Sequence, residues 1–195
     1  MNTLKAEKRT KDVKAKKLRR EGYVTGNIFG REMKESVMIK MLKPEVSRML
    51  KNSGKGGKAT LDVEGEIYNV LIKDIDYDPM KNQINEIDFQ ALVSNEKIQS
   101  VANVIPVNHE MITEGVFQLL LPEIVYKALP DALVERIDLD VGHMRAGDSI
   151  KVEDLDIAKD KDVELVTSLD AIVAVVSEVR RKAEDSDTEE EEAED

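Results

Sequence analysis

Segments of strand length, separated by turn residues, recur along the chain and leave room only for short helices between them. Two of these segments flank Glu64-Gly65 in the manner of a β-hairpin. In the first part of the chain they occupy residues 3–9, 23–29, 36–41, 59–63, 66–76 and 83–92. Strands spaced this closely predict a small twisted barrel or roll.

Two helices are expected among these strands. A basic stretch at residues 14–20 runs to Gly22, a residue that commonly ends a helix. Residues 43–50 have Pro44 at a first helical position and apolar side chains at helical spacing. The glycine-rich residues 53–58 that follow are expected to form a flexible connection.

The pattern pauses at residues 93–97, and a second β-rich region begins beyond it. Its expected strands are residues 101–107, 117–121, 134–140, 149–152, 163–167 and 171–176. Residues 182–195 hold nine Asp or Glu, one Lys and no large apolar residue, so they are expected to be disordered. The fold class is therefore mainly β with short helices (α+β), with a first domain over 1–92, a second over 93–181 and an acidic tail over 182–195.

The chain has no cysteine, which excludes disulfides, thiolate zinc sites and a cysteine nucleophile and fits a reducing cytosol. No apolar run approaches the length of a membrane span, and no apolar segment follows the first charges as in a secretory signal. We therefore expect a cytoplasmic protein with no membrane partner.

Charge is segregated along the chain, which the net charge of −11 conceals. Residues 1–60 hold 17 Lys or Arg and 6 Asp or Glu, a net charge of +11, whereas residues 61–195 hold 12 and 34, a net charge of −22. A basic end of this kind suggests a polyanionic partner.

The densest basic cluster is Lys14, Lys16, Lys17, Arg19 and Arg20. A charge run is usually only a solvated face. A cluster of one sign repels itself, however, unless an anion neutralises it, so binding of RNA or DNA is the favoured interpretation. Such side chains donate to phosphate oxygens, which fixes position without reading sequence.

The glycine-rich residues 53–58 do not match a phosphate-binding P-loop. That motif needs Gly five residues before its Gly-Lys pair and Ser or Thr after it, where this chain has Asn52 and Ala59. A connection that touches RNA at most in passing is the better interpretation.

No metal or catalytic site is indicated. Asp74, Asp76 and Asp78 alternate as on the solvent face of a strand, and the later residues of a calcium loop are missing. His109 and His143 lie beside turn residues, with no nucleophile motif nearby. We expect a protein that is not an enzyme and has no cofactor, no metal and no small-molecule substrate.

Three groups of motifs together resemble one family. The chain has Ala-Glu-Lys-Arg at 6–9, Lys-Lys-Leu-Arg-Arg-Glu-Gly-Tyr-Val at 16–24 leading to Ile-Phe-Gly at 28–30, and Val-Leu-Ile-Lys-Asp-Ile at 70–75 with Asp-Pro at 78–79 and Ile-Asp-Phe at 87–89. In this order they are similar to the bacterial 5S rRNA-binding large-subunit ribosomal protein family that includes general stress protein CTC. Val-Ile-Pro-Val at 104–107, Gly-Asp-Ser-Ile at 147–150 and Asp-Leu at 154–155 fit its longer, two-domain form, so the resemblance covers nearly all of residues 1–180.

The resemblance implies an N-terminal six-stranded β-barrel that docks on the loop E region of 5S rRNA, beside a β-rich second domain. The family's contact positions fall on Arg9, Lys16, Lys17, Arg19, Phe29, Lys73, Glu86 and Asp88. Among these, the Asp88 carboxylate can accept hydrogen bonds from base amino or imino groups and so add specificity.

Two of these positions depart from the family pattern. The family usually has Tyr where this chain has Phe29, and the missing hydroxyl removes a hydrogen bond worth about 1 kcal/mol. It usually has His where this chain has Glu86, so two carboxylates, those of Glu86 and Asp88, come near a polyanion. Residues 25–27 also lack the family's usual Pro-Ala.

The expected function is a structural constituent of the large ribosomal subunit that binds 5S rRNA through its basic N-terminal domain. Neighbouring ribosomal proteins are further expected partners, and the free protein is expected to be a monomer. The alternative is a diverged, stress-related paralogue that acts as a protein-binding adaptor with weakened RNA binding. For the tail, either simple solubilisation or folding back on residues 14–20 in the absence of RNA is consistent with its charge.

Overall fold

The computed structural model describes residues 3–10, 12–51 and 53–178, so the acidic tail at 182–195 lies outside the described residues. Its first part contains strands β1 to β6 and helices α1 and α2. Their bounds are β1 Thr3–Lys8, α1 Ala15–Arg20, β2 Tyr23–Phe29, β3 Val37–Leu42, α2 Lys43–Leu50, β4 Lys58–Val63, β5 Glu66–Asp78 and β6 Gln83–Ala91.

The first six strands form a closed barrel in the order β1-β3-β2-β6-β5-β4. Strands β1 and β4 pair in parallel and close it, with Leu4 opposite Leu61. Strands β2 and β6 also pair in parallel, while β4 and β5 form the expected hairpin. The prediction of a mainly β fold with an N-terminal six-stranded barrel is confirmed.

Alternation along each strand fills the barrel. Every second side chain points inward, so that β2 contributes Val24 and Ile28 and β6 contributes Ile87 and Phe89, all fully buried. Between the two β2 side chains lies Gly26, where a Cβ would meet the Ile87 carbonyl oxygen at 2.6 Å. Strands β2 and β6 can therefore approach this closely only with glycine at that position.

Helix α2 spans the predicted residues, and Pro44 lies in its first turn. It packs Val46 and Met49 into the barrel core. Because the barrel is closed and its core is capped by this helix, only its outer face is available for binding.

The second unit, strands β7 to β13, contains two further sheets. A four-stranded sheet has the order β10-β7-β9-β12, and a three-stranded antiparallel sheet has the order β11-β13-β8. The elements are β7 Ile98–Val107, β8 Val116–Leu119, β9 Glu123–Ala128, β10 Arg136–Asp140, β11 Ser149–Lys151, α3 Asp156–Lys159, β12 Val163–Leu165 and β13 Ile172–Ser177.

The core of the second unit is separate from the barrel core. Ala102, Ile124 and Val173 are completely buried in it. Tyr126 is also completely buried, and its hydroxyl donates to the Val134 carbonyl at 2.8 Å and accepts from the Val134 amide at 2.7 Å. The Tyr126 side chain thus fills the core and also provides hydrogen-bond partners for the backbone amide and carbonyl of Val134, just before β10.

Two features differ from the sequence-based expectations. Strand β9 is not among the predicted strands, because Val125 is apolar as well as Ile124 and Tyr126, which obscures the period of two. Residues 53–58 are not a loose connection, since the Gly56 amide donates to Ile72 O and the Gly57 carbonyl accepts from Ile72 N, each at 2.9 Å. The glycine-rich loop is therefore paired to β5.

Candidate nucleic-acid interface

Helix α1 presents the basic cluster to solvent. Its buried side chain, Leu18, is 5% exposed and anchors the helix to the barrel beside β2. Gly22 follows the helix with a left-handed φ of +88° and turns the chain into β2. Because Leu18 fixes the side that faces the barrel, four long basic side chains project outward: Lys14, Lys16, Lys17 and Arg20.

Few of the charges on this helix have an oppositely charged partner within the part of the chain that the structure describes. The Lys17 ammonium lies 3.9 Å from the carboxylate of Glu21, one helical turn away, and the Lys17 side chain is mostly exposed. Among the ion pairs within the described residues, none involves Lys14, Lys16 or Arg20. Ammonium and guanidinium groups that cluster on one short helix attract a polyanion such as a nucleic-acid backbone.

The two other predicted arginines are half-buried. The Arg9 guanidinium donates from Nε and Nη2 to the Val13 carbonyl, at 3.3 and 3.1 Å, and so stabilises the turn that leads into α1. The Arg19 Nε is buried and has no acceptor among the described residues. Arg9 thus positions the basic helix in addition to any contact of its own.

The predicted carboxylates lie on β6, opposite β2. Glu86 pairs with Thr25 and Asp88 with Asn27 in the parallel register. The Asn27 amide nitrogen donates to both carboxylates, to Glu86 Oε1 at 2.9 Å and to Asp88 Oδ1 at 3.1 Å. One neutral donor therefore holds two like charges side by side on the outer face of the barrel.

Asn27 is a residue that the sequence analysis did not single out as a site residue. Its place between buried Gly26 and Ile28 identifies it as an outward-facing, half-buried polar side chain on a largely buried strand. Its partners could not be read from the sequence, because the parallel pairing of β2 with β6 joins residues about sixty positions apart.

Strand β5 adds two more carboxylates beside the same pair. Asp74 is opposite Asp88 and Asp76 is opposite Glu86 in the antiparallel register. Asp74 and Asp76 keep the alternation that the sequence suggested, and a bulge between Asp76 and Tyr77 interrupts it before Asp78. The outer face of β5 and β6 is thus acidic, while the neighbouring helix α1 is basic.

The remaining predicted residues lie on either side of this face. Phe29 ends β2 with 37% of its surface exposed. Lys73, at the β5 bulge, is directed to the second unit, and its Nζ donates to the Gln99 carbonyl at 2.7 Å. Burial, and next the charge of Lys55, lowers the pKa of Lys73.

The structure therefore brings most of the predicted residues around β2. Helix α1 packs beside this strand, Phe29 ends it, and Glu86 and Asp88 lie across it on β6. Lys73 is set apart, because its ammonium is engaged at the junction with β7.

Within residues 3–10, 12–51 and 53–178, no three His, Asp or Glu side chains are placed to hold a metal ion. None of the helices in those ranges is both long and apolar enough to span a bilayer. A closed barrel that displays a cluster of exposed basic side chains is typical of nucleic-acid-binding proteins.

Comparison with known families and proteins agrees with this class. The model of the Ribosomal L25p family matches residues 4–89, and that of the Ribosomal protein TL5 C-terminal domain matches residues 97–180. Three relatives, each named large ribosomal subunit protein bL25, come from Caldanaerobacter subterraneus subsp. tengcongensis (29% identity, 98% of this chain and 96% of the relative), Bacillus velezensis (28%, 97% and 94%) and Bacillus pumilus (30%, 80% and 77%).

The chain belongs to the Ribosomal L25p family, in its long form with a TL5-type C-terminal domain. It is accordingly a ribosomal protein with a structural role and not an enzyme.

Proposed function

We propose that this protein is a structural constituent of the large ribosomal subunit in the bacterial cytoplasm and binds 5S rRNA through its barrel. The observation that carries the proposal is the exposed basic helix, whose Lys14, Lys16 and Arg20 have no ion-pair partner among the described residues. The relatives named above, all large-subunit proteins, support the ribosomal part of the proposal.

In this mechanism the two faces beside β2 have different tasks. Lys14, Lys16, Lys17, Arg19 and Arg20, with Arg9 beneath them, contact phosphate oxygens, which supplies affinity and salt dependence without specificity. Asp88, which Asn27 holds beside Glu86, accepts hydrogen bonds from base amino and imino groups, while the Glu86 carboxylate, at a family contact position, adds a second negative charge there.

Phe29 complements these polar contacts with an exposed ring beside them. An aromatic face stacks on an unpaired base without requiring a hydroxyl. Lys73, which the family resemblance also suggests as a contact, is engaged with Gln99 and would reach RNA only from the junction side.

We further propose that the barrel and the second unit are separate domains, 1–92 and 93–181, followed by a distinct tail at 182–195. Their separate hydrophobic cores support this division. The second domain is then available for neighbouring ribosomal proteins, and the free protein is a monomer.

The test is a titration of the full chain against a 5S rRNA fragment and a scrambled duplex over a range of salt concentrations. We expect a preference for the 5S fragment and a salt slope that corresponds to several phosphate contacts. Lys16→Ala with Lys17→Ala should reduce that slope by about 2. Lys97→Ala with Lys159→Ala, which removes two exposed lysines from the second unit, is the charge-matched control and should leave the slope unchanged.

A second candidate is a diverged adaptor that binds protein rather than RNA. The acidic outer face, where Asp74 and Asp76 flank Glu86 and Asp88, favours it, because such a face repels phosphate. Equal and weak binding to both RNAs, together with absence of the protein from purified large subunits, would favour the adaptor function over 5S rRNA binding.

A further inference from the structure

The backbone of the glycine-rich loop, residues 53–58, is hydrogen-bonded to strand β5 of the barrel. Gly56 N donates to Ile72 O and Gly57 O accepts from Ile72 N, both at 2.9 Å, in the manner of an added strand beside β5. A tight turn precedes this pairing, in which Gly57 N donates to Gly54 O at 3.0 Å. Gly56 and Gly57 are buried.

The opposite side of the same loop is hydrogen-bonded to the second unit. Asn103 on β7 donates from Nδ2 to the Lys55 carbonyl at 3.1 Å and to the Glu135 carbonyl at 3.3 Å. The Lys58 amide donates to Glu135 Oε1 at 2.9 Å. The loop backbone is thus shared between the barrel and the second unit.

Charged side chains surround this contact. The Lys55 ammonium lies 3.5 Å from the Glu123 carboxylate of the second unit and 3.7 Å from the Asp74 carboxylate of the barrel. Lys73 reaches the Gln99 carbonyl in the other direction, at 2.7 Å. Each lysine therefore links β5 or its loop to a strand of the second unit.

An apolar contact lies beneath these bonds. Leu71 stands on β5 between the core residues Val70 and Ile72, so it points out of the barrel, yet it is only 1% exposed. It lines a cleft of about 320 Å³ together with Val101 and Val125 of the second unit. Burial of an outward-facing leucine is the signature of an interface.

Gly56 permits the two units to approach this closely. Its φ of +82° favours glycine, and a Cβ there would lie 2.0 Å from the Val101 carbonyl oxygen. Gly54 differs in both respects, since its φ is not left-handed and a Cβ there would meet no atom within 4 Å. An alanine side chain is therefore expected to fit at position 54 and not at position 56.

We infer that residues 53–58 form a joint that locks the barrel and the second unit at one fixed angle, through Gly56 and Asn103. An RNA bound at the barrel and a ribosomal protein bound at the second unit would then be held at a set separation. The inference goes beyond the proposed function, because it depends only on contacts within the chain.

The absence of cysteine allows a direct test. Spin labels on cysteines introduced at the exposed positions Ser36 of the barrel and Ser168 of the second unit report the distance between them by electron paramagnetic resonance. We expect a single narrow distance distribution in the labelled parent and in Gly54→Ala. Gly56→Ala should broaden the distribution and move its maximum, because the Cβ displaces β7.

Asn103→Ala provides an independent variant in case Gly56→Ala fails to fold, which circular dichroism would reveal. It removes the side chain that bridges Lys55 and Glu135 and should also broaden the distribution. A broad distribution in the labelled parent would overturn the inference. So would distributions in the folded Gly56→Ala or Asn103→Ala protein that are as narrow as that of Gly54→Ala.

Discussion

Replacing Asn27 by alanine isolates the group that holds the acidic pair in place. The Asn27 amide donates to Glu86 at 2.9 Å and to Asp88 at 3.1 Å, and all three side chains are half-buried on the outer barrel face. Asn27→Ala removes both hydrogen bonds and leaves two carboxylates adjacent on one strand without their common donor.

The expected loss follows from the kind of bond removed. A hydrogen bond to a charged partner contributes about 1.5–3 kcal/mol, but solvent reaches these half-buried groups and replaces part of it. We expect the free energy of unfolding to fall by about 1–2 kcal/mol in total, which lowers Tm by about 2–8 °C for a chain of this size. The preference for the 5S fragment should fall about fivefold to tenfold, with an unchanged salt slope, because no phosphate contact is lost.

Urea unfolding and RNA titration of Asn27→Ala measure the two effects. Asn69→Ala is the matched control, because the exposed side chain of this barrel asparagine makes one hydrogen bond with the described residues, in which its Oδ1 accepts from the Thr60 hydroxyl at 3.3 Å. A double-mutant cycle with Glu86→Gln provides the decisive comparison, since Asn27→Ala should cost less once one carboxylate is neutral. An equal cost in both backgrounds would refute the account of Asn27 as a donor shared by two charges.

Four further predictions concern other parts of the molecule. Glu86→His should strengthen binding to the 5S fragment about fivefold, because it removes a negative charge and can add a hydrogen bond worth about 1 kcal/mol. The Asp78 carboxylate accepts hydrogen bonds from the Lys81 ammonium and from backbone amides, which lowers its pKa below the ordinary 3.8. Its contribution to the free energy of unfolding is therefore present above pH 3.8 and is lost as the pH falls through the lowered pKa. The difference in urea midpoint between the parent and Asp78→Ala should therefore shrink below pH 3.8. Lys55→Met should raise the pKa of Lys73, measured by NMR titration, because it removes the neighbouring positive charge. Deletion of residues 182–195 should strengthen binding to the scrambled duplex more than the change in net charge alone requires, if the tail competes for the basic helix.

Each of these predictions has an outcome that contradicts it. Weaker 5S binding by Glu86→His would mean that the carboxylate is itself a contact. A midpoint difference for Asp78→Ala that persists in acid would assign its effect to packing. An unchanged Lys73 pKa in Lys55→Met would refute the electrostatic account of Lys73, and Lys159→Met, which removes an exposed lysine that is not among the causes of the lowered pKa, is the control. If a variant with an uncharged tail of equal length binds the scrambled duplex as weakly as the full chain, the acidic tail does not compete for the basic helix.

Local features of the sequence were sufficient for the elements of the barrel. Strand β2 and helix α2 have the expected bounds, because alternation and the first-turn Pro44 are properties of neighbouring residues. The closed six-stranded barrel came from the family resemblance, since periodicity alone left a barrel and a roll equally open. The segregation of charge along the chain was likewise sufficient to locate the basic helix.

Contacts between distant residues required the tertiary structure. Asn27 meets Glu86 and Asp88 only because β2 pairs with β6 in parallel, and no local pattern encodes that register. The same applies to Gly56, whose neighbour Val101 belongs to another sheet. Composition and periodicity are sums over nearby residues and so determine elements and charge, whereas shared donors and interfaces depend on which elements closure of the chain brings together.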